Sequence, residues 1–176
     1  RTIINQVDEL KRLVSEFSSF ARMPAVSKAQ NSLAAMVHEI LPLYQEAHKH
    51  ITFRFREGDG IPPFFFDLKQ MKRVLINLLD NAVAVLPEEG GMIEIELRPE
   101  PGQSIVFLEV RDNGPGVPEE NKLRLFEPYF STKKTGTGLG LAIATTVVAD
   151  HGGYIRVKDN EPSGARFIIE LPLAAS

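Results

Sequence analysis

Four short motifs, three of them rich in asparagine, aspartate or glycine and one aromatic, follow one another in a fixed order, and this order limits the folds open to the chain. They are Asn77-Leu78-Leu79-Asp80-Asn81-Ala82, Asp112-Asn113-Gly114-Pro115-Gly116, Phe126-Glu127-Pro128-Tyr129-Phe130 and Gly136-Thr137-Gly138-Leu139-Gly140-Leu141, and a further Gly164-Ala165-Arg166-Phe167 comes near the end. Glycines let the backbone approach a ligand closely, and a glycine-rich loop that opens a helix offers free N–H groups to phosphate. The motifs together predict a nucleotide site.

Composition excludes several other classes of function. The chain has 176 residues, enough for one well-buried domain and a short appendage. A net charge of -3 gives no general attraction to nucleic acid or to anionic membranes, so we expect neither as a partner of this chain. There is no cysteine, which excludes disulfides and thiolate metal sites and fits a reducing cytosol. No apolar run approaches the roughly 18 residues of a membrane span.

Residues 1–24 have the periodicity of a helix with a narrow apolar seam. The seam positions, spaced three and four apart, are Val7, Leu10, Val14, Phe17 and Ala21. Such a helix either packs on its own domain or forms half of a helical hairpin whose partner is missing, and we favour the hairpin. Pro24 ends it, and residues 25–31 are interpreted as a linker. Because the chain begins inside this pattern, we expect it to be a piece of a longer protein.

Residues 32–176 alternate between helical and strand patterns. Helices are predicted over residues 32–49 and 67–86 and from 138 to about 151, and strands over 51–56, 92–98, 104–111, 154–158 and 165–171. The last strands come as hairpin-like neighbours. This predicts an α/β domain, a two-layer sandwich in which helices cover one face of a mixed sheet. The irregular segment 117–137 is long enough to indicate a functional loop.

Asn77 and Asn81 lie four residues apart, so their amides face the same side of a helix. Mg²⁺ prefers oxygen ligands and retains waters beside substrate phosphates, which makes an amide oxygen a suitable ligand. The alternative is that one or both asparagines only cap or bridge neighbouring backbone.

Asp112 follows a strand and precedes two glycines, Gly114 and Gly116. Its carboxylate can accept a hydrogen bond from the amino group of adenine, while the glycines let the base approach the backbone. A plain turn is the alternative, since Asp-Asn-Gly is a common turn sequence.

The glycine motif at 136–141 stands where a loop enters a helix, which suits phosphate binding. Its glycine order differs from a Walker A loop, and no strand precedes it as in a dinucleotide fold. Lys133 in the preceding loop could balance γ-phosphate charge, or could be a solvated surface lysine. Phe126 and Phe130 most simply anchor this loop, a candidate lid, to the core.

The five motifs resemble the N, G1, F, G2 and G3 boxes of histidine kinases, over nearly the whole chain. The resemblance implies the Bergerat (GHKL) ATP-binding fold, shared with type II topoisomerases, mismatch-repair ATPases and a heat-shock chaperone. It implies ATP and Mg²⁺ as cofactors, with Asn81 as the metal ligand and Asn77 and Lys133 as catalytic contacts near the phosphates. The nucleotide-binding residues implied are Asn77, Asn81, Asp112, Gly114, Gly116, Phe126, Phe130, Lys133, Thr137, Gly138, Leu139, Gly140 and Gly164.

Histidine kinases pass the γ-phosphoryl group of ATP to a histidine on a dimerising hairpin and then to an aspartate of a response regulator. His38-Glu39-Ile40-Leu41-Pro42-Leu43 imitates the acceptor motif, but it is one residue short and lacks the basic and polar residues. We therefore expect His38 to be a structural or surface residue, the acceptor histidine to lie upstream of this chain, and residues 1–24 to be the second hairpin helix.

The end of that helix, residues 16–24, is similar to the NtrY-like nitrogen-regulation branch of sensor kinases. This resemblance implies an NtrX-like response regulator as partner and a homodimer formed through the N-terminal helix. It also implies a cytoplasmic fragment of a protein anchored in the inner membrane. Two alternatives stay open: a nucleotide-sensing or scaffolding module without phosphotransfer, and another ATPase or serine kinase of the superfamily, against which the heptad helix argues.

Overall fold

The computed structural model describes residues 2–131 and 138–174. Its four helices and seven strands are interspersed along this part of the chain, and strands follow one another in pairs after α2, α3 and α4. They are α1 (Thr2–Ala21), β1 (Ala29–Asn31), α2 (Leu33–Ala47), β2 (Thr52–Glu57), β3 (Phe64–Phe66), α3 (Leu68–Val85), β4 (Met92–Pro99), β5 (Ile105–Asp112), α4 (Gly140–Asp150), β6 (Tyr154–Asp159) and β7 (Ala165–Pro172). Two short 3₁₀ turns, Glu119–Asn121 and Arg124–Phe126, lie between β5 and α4.

Five strands form one mixed sheet in the order β2-β4-β5-β7-β6. β2 pairs with β4 in parallel, and the other neighbours are antiparallel. Side chains alternate between the two faces, as the pleat requires, so Ile93, Ile95 and Leu97 of β4 are fully buried on one of them. The core on that face lies between the sheet and helices α2, α3 and α4. The predicted two-layer α/β sandwich is confirmed.

Two helices begin at side-chain caps. The hydroxyl of Ser32 accepts a hydrogen bond from the N–H of Ala35 at the start of α2, and the carboxylate of Asp67 accepts one from the N–H of Gln70 at the start of α3. The buried stripe of α3 contains Met71, Val74, Leu75, Leu78 and Leu79. Asn77 and Asn81 lie outside this stripe and are half-buried.

The outer face of the sheet is held by a charged cluster. Glu109 is fully buried there, and its carboxylate contacts the guanidinium groups of Arg98 (3.1 Å), Arg111 (2.8 Å) and Arg166 (3.2 Å). Burial alone would raise the pKa of Glu109, but the hydrogen bonds and charges of the arginines outweigh it and lower that pKa. The cluster satisfies a buried charge on the face that these helices do not cover.

The segment at 25–31, interpreted as a linker, is not wholly irregular. Ala29–Asn31 forms β1 and pairs antiparallel with β3, Phe64–Phe66, which the sequence analysis left out. The Nδ2 of Asn31 donates to the carbonyl of Phe66 at 2.9 Å and fixes the pairing. Strands of three residues are too short for alternation to reveal them, which is why the sequence pattern gave no signal.

Helix α1 carries the predicted seam on its surface. Val7, Leu10, Val14 and Phe17 are all more than 40% exposed. The hairpin interpretation of residues 1–24, and the division of the chain at residues 24 and 31, stay predictions. His38 lies exposed on α2, where its Nε2 contacts a carboxylate oxygen of Glu57 at 2.9 Å. No helix in the described ranges is long and apolar enough to cross a bilayer.

Candidate nucleotide site

A cavity of about 410 Å³ opens between α3, α4 and the ends of β5 and β7. It brings together residues from all the motifs except the lid residues outside the described ranges. The residues predicted for the site that line it are Asn77, Asn81, Asp112, Gly116, Phe130, Gly138 and Gly140. Residues separated by more than 60 positions thus meet at one concave surface, as small-molecule sites require.

The polar side of α3 forms one wall. Asn77, Asp80 and Asn81, at positions i, i+3 and i+4, all line the cavity, as their helical spacing predicts. The Nδ2 of Asn77 donates to the carbonyl of Gly140 at 2.9 Å, so this amide joins α3 to the first turn of α4. The bridging alternative therefore describes part of what Asn77 does, and Asn81 lines the same cavity.

Asp112 ends β5 and is only 3% exposed. Its Oδ1 accepts hydrogen bonds from the N–H groups of Gly114 (2.9 Å) and Ala165 (3.3 Å). Two backbone donors on one carboxylate oxygen stabilise the ionised form and fix the plane of the carboxylate. The side chain is thus a rigid acceptor on the cavity wall. This is the geometry that recognition of an amino group needs.

Gly164, the last motif glycine, lies against the Asp112 turn. It has a φ of +103°, and a Cβ at this position would stand 1.9 Å from the carbonyl oxygen of Asp112. Any side chain would therefore displace the turn that carries the carboxylate. Gly164 acts by permitting this contact, and it does not itself line the cavity.

The aromatic motif is fixed to the core and to the glycine motif. The ring of Phe126 meets that of Phe167 edge to face, with centroids 6.4 Å apart, so it is anchored as expected. Phe130 lines the cavity, and the guanidinium of Arg124 lies 4.4 Å from its ring centroid. Tyr129 between them has a φ of +67° and donates its N–H to the carbonyl of Gly138 at 2.9 Å.

Helix α4 begins at the cavity. Its N-cap is Leu139, which is fully buried and whose apolar side chain cannot cap the first backbone N–H groups. Gly138 and Gly140 on either side line the cavity, so the positive end of the helix dipole is directed at it. Lys133 and Thr137, predicted for the same site, lie outside the described residues.

Several lining residues were not predicted. Asp80 accepts a hydrogen bond from the hydroxyl of Tyr44 at 2.6 Å, and burial together with this carboxylate raises the pKa of Tyr44. The i+3 spacing from Asn77 was a signal for Asp80. Arg73, one turn before Asn77, also lines the cavity. Arg12 and Glu16 reach it from α1, a long-range placement that no local pattern could give.

The charges and donors of the cavity fit Mg²⁺ held together with an anionic ligand. An amide oxygen from Asn81 and a carboxylate from Asp80 are hard oxygen donors on one helix face. Within residues 2–131 and 138–174, no group of three or more His, Cys, Asp or Glu side chains could hold a metal ion. A single helix that offers few ligands suits an ion completed by phosphate oxygens and water.

Known proteins are similar to this chain in both sequence and fold. Residues 66–175 match the model of the family described as histidine kinase-, DNA gyrase B-, and HSP90-like ATPase. Nitrogen regulation protein NtrY of Azorhizobium caulinodans is 35% identical over 178 residues, which cover 99% of this chain and 23% of that protein. The chain spans between 23% and 38% of the length of the first three curated relatives that match it.

Two solved structures are similar over most of the chain. The catalytic domain of histidine kinase ThkA gives a TM-score of 0.74 at 34% identity, over 85% of this chain and 97% of that one. ThkA in complex with the response regulator protein TrrA gives 0.82 at 29% identity, over 98% of this chain and 50% of that one.

Proposed function

Because the chain belongs to the histidine kinase-, DNA gyrase B- and HSP90-like ATPases, we propose that it is the ATP-binding catalytic part of a sensor histidine kinase. One observation carries the proposal. A single cavity unites the two asparagines of α3, the buried carboxylate of Asp112 and the glycine-flanked start of α4. These supply, in order, an oxygen donor for a metal, an acceptor for a base and N–H donors for phosphate.

Asp112 would hold the adenine. Two backbone N–H groups orient its carboxylate, and an ionised carboxylate has no proton to donate, so it would accept a hydrogen bond from the amino group of adenine. Guanine presents a carbonyl oxygen at the same position. The site therefore favours adenine nucleotides by the direction of one hydrogen bond.

The start of α4 would bind the phosphates through its N–H groups and its dipole. Asn77 holds that start in place through the carbonyl of Gly140. We propose Asn81 as the ligand of Mg²⁺, which when bound neutralises phosphate charge during transfer. By the resemblance to histidine kinases, Lys133 and Thr137 of the lid would contact the phosphates as well, and Lys133 would assist transfer.

The acceptor of the phosphoryl group would be a histidine on an upstream hairpin helix that this sequence does not include. In support, the Nε2 of His38, on α2, is already engaged by the carboxylate of Glu57 at the end of β2. We propose that the phosphoryl group then passes to an aspartate of a response regulator, an NtrX-like one by resemblance. The full protein would be a homodimer through α1, anchored in the inner membrane, with this part in the cytoplasm.

The test is phosphotransfer by the full-length protein with γ-labelled ATP and magnesium. The label should enter the protein as acid-labile, alkali-stable phosphate, and Asn81→Ala should abolish it. The matched control is His38→Ala, which should keep full labelling because this side chain lies on the surface of α2. Tight ATP binding by the full-length protein without any labelling would support a nucleotide-sensing module instead.

A further inference from the structure

The loop between β6 and β7 lies directly against the Asp112 turn. The Nδ2 of Asn160, in this loop, donates to the main-chain carbonyl of Asp112 at 2.8 Å. The N–H of Asn160 donates to the carbonyl of Gly164 at 2.9 Å and closes the loop on itself. The Asn160 side chain therefore fixes the peptide group that leads out of Asp112.

The same loop also fixes the carboxylate. The N–H of Ala165, directly after Gly164, donates to Oδ1 of Asp112 at 3.3 Å. The backbones approach so closely that a Cβ on Gly164 would overlap the Asp112 carbonyl. Asn160, in the loop, thus holds the main chain of Asp112, and Ala165, at the end of that loop, holds its side chain.

A salt bridge ties this loop to the segment that leads into the lid. The Nζ of Lys122 lies 3.0 Å from Oδ1 of Asp159, the residue before Asn160, and 2.6 Å from Oε2 of Glu119. The hydrogen bonds that the ammonium of Lys122 donates to the carboxylates of Glu119 and Asp159 raise the pKa of Lys122, so it is charged at neutral pH. Asn160 thus contacts Asp112, the residue proposed to bind the base, and the preceding Asp159 contacts Lys122, which directly follows the 3₁₀ turn Glu119–Asn121.

We propose that Asn160 is a positioning residue that sets the preference for adenine over guanine. The proposal rests on the nucleotide site argued above and assigns its base selectivity to the 159–164 loop. A carboxylate discriminates between a donor and an acceptor on the base only while its position is fixed. If the peptide group at Asp112 loses its hydrogen bond, the carboxylate can shift and the discrimination weakens.

The experiment measures calorimetric binding of ADP and GDP to the chain and to three variants. Asn160→Ala removes the side chain, and Asn160→Asp keeps its size but replaces the donor with an oxygen that repels the Asp112 carbonyl. Ser163→Ala is the matched control, because its hydroxyl makes only a 3.4 Å contact with the carbonyl of Asn113 in the same loop. Thermal unfolding of the chain and of each variant identifies a temperature at which all of them are folded, and binding is measured at that temperature.

Both Asn160 variants should bind ADP about five-fold more weakly, the loss expected for one net hydrogen bond. GDP binding should be unchanged, so the ADP/GDP affinity ratio should fall about five-fold, while Ser163→Ala keeps the original ratio. A purely structural role would reduce binding of both nucleotides together and leave the ratio unchanged. An unchanged ratio in folded Asn160→Asp overturns the inference, whereas absence of ADP binding by the original chain overturns the nucleotide site itself.

Discussion

Replacing Asp67 with alanine perturbs the start of α3, the helix that carries Asn77 and Asn81. The carboxylate of Asp67 accepts hydrogen bonds from the N–H of Gln70 (3.0 Å) and from the N–H of Ser27 (2.8 Å). It therefore caps the helix and also ties it to the segment before β1. The side chain is only 7% exposed, so the N–H of the buried Gln70 loses its partner away from water, while the N–H of Ser27 belongs to an exposed residue.

The magnitude follows from these two contacts. Loss of an N-cap costs about 1 kcal/mol, and a second charge-assisted hydrogen bond adds about 1.5 kcal/mol. Asp67→Ala should therefore lower the free energy of unfolding by about 2–3 kcal/mol at pH 7. Ser32→Ala is the matched control, because Ser32 caps α2 through a single hydrogen bond to Ala35 at 3.2 Å. It should cost about 1 kcal/mol.

The two caps differ in their dependence on pH. Burial would raise the pKa of Asp67, but the hydrogen bonds that its carboxylate accepts from the backbone N–H groups of Ser27 and Gln70 outweigh it and lower that pKa in the folded state. A lowered folded pKa means that the stabilisation is fully present above the unfolded value, about 3.9, and is lost as pH falls through the folded value. The cap at Ser32 is a hydroxyl group, so the stability that it contributes does not change over this pH range.

Urea unfolding of both variants and the original chain at pH 7 and at stepped lower pH measures these differences. The deficit of Asp67→Ala should shrink as the pH falls below about 4, while that of Ser32→Ala should stay constant. A deficit below 1 kcal/mol at pH 7, or one that does not change with pH, would refute the role assigned to the Asp67 carboxylate.

Two further substitutions test the sheet and the turn. Gly164→Ala places a Cβ against the Asp112 carbonyl at a positive φ, so it should cost at least about 2 kcal/mol in urea unfolding and weaken ADP binding in calorimetry; unchanged stability would contradict the close contact. Glu109→Ala removes the buried partner of three arginines, so it should cost about 3–5 kcal/mol, measured by the same unfolding assay. A loss below 1 kcal/mol would show that the arginines hold the outer face without it.

Much of the domain followed from local patterns. The apolar stripe of α3 and the alternation in β4 and β5 indicate which residues are buried. Asn77 and Asn81 were placed on one helix face by their spacing alone. The motifs could also be assigned to one site, because the resemblance supplied the long-range arrangement that spacing cannot.

What the sequence did not predict depends on contacts between distant segments. The pairing of β1 with β3 joins two three-residue strands that carry no periodic signal. His151, at the end of α4, is buried; its Nδ1 donates to the carbonyl of Val147 and its Nε2 accepts the N–H of Asp67, at the start of α3. Asn160 likewise acts 48 positions away from the carbonyl it holds.

The proposed function requires that this cavity bind an adenine nucleotide through Asp112 and that Mg²⁺ strengthen the binding. Calorimetry with ADP, with and without Mg²⁺, tests it on the chain and on Asp112→Asn, Asn81→Ala and the control Asp59→Asn, an exposed aspartate that does not line the cavity.

The original chain and Asp59→Asn should both bind ADP, and both should bind it more tightly with Mg²⁺ than without. Asp112→Asn should bind at least about ten-fold more weakly, and Asn81→Ala should lose the effect of Mg²⁺. No binding by the original chain, or equal binding by folded Asp112→Asn, would contradict the account.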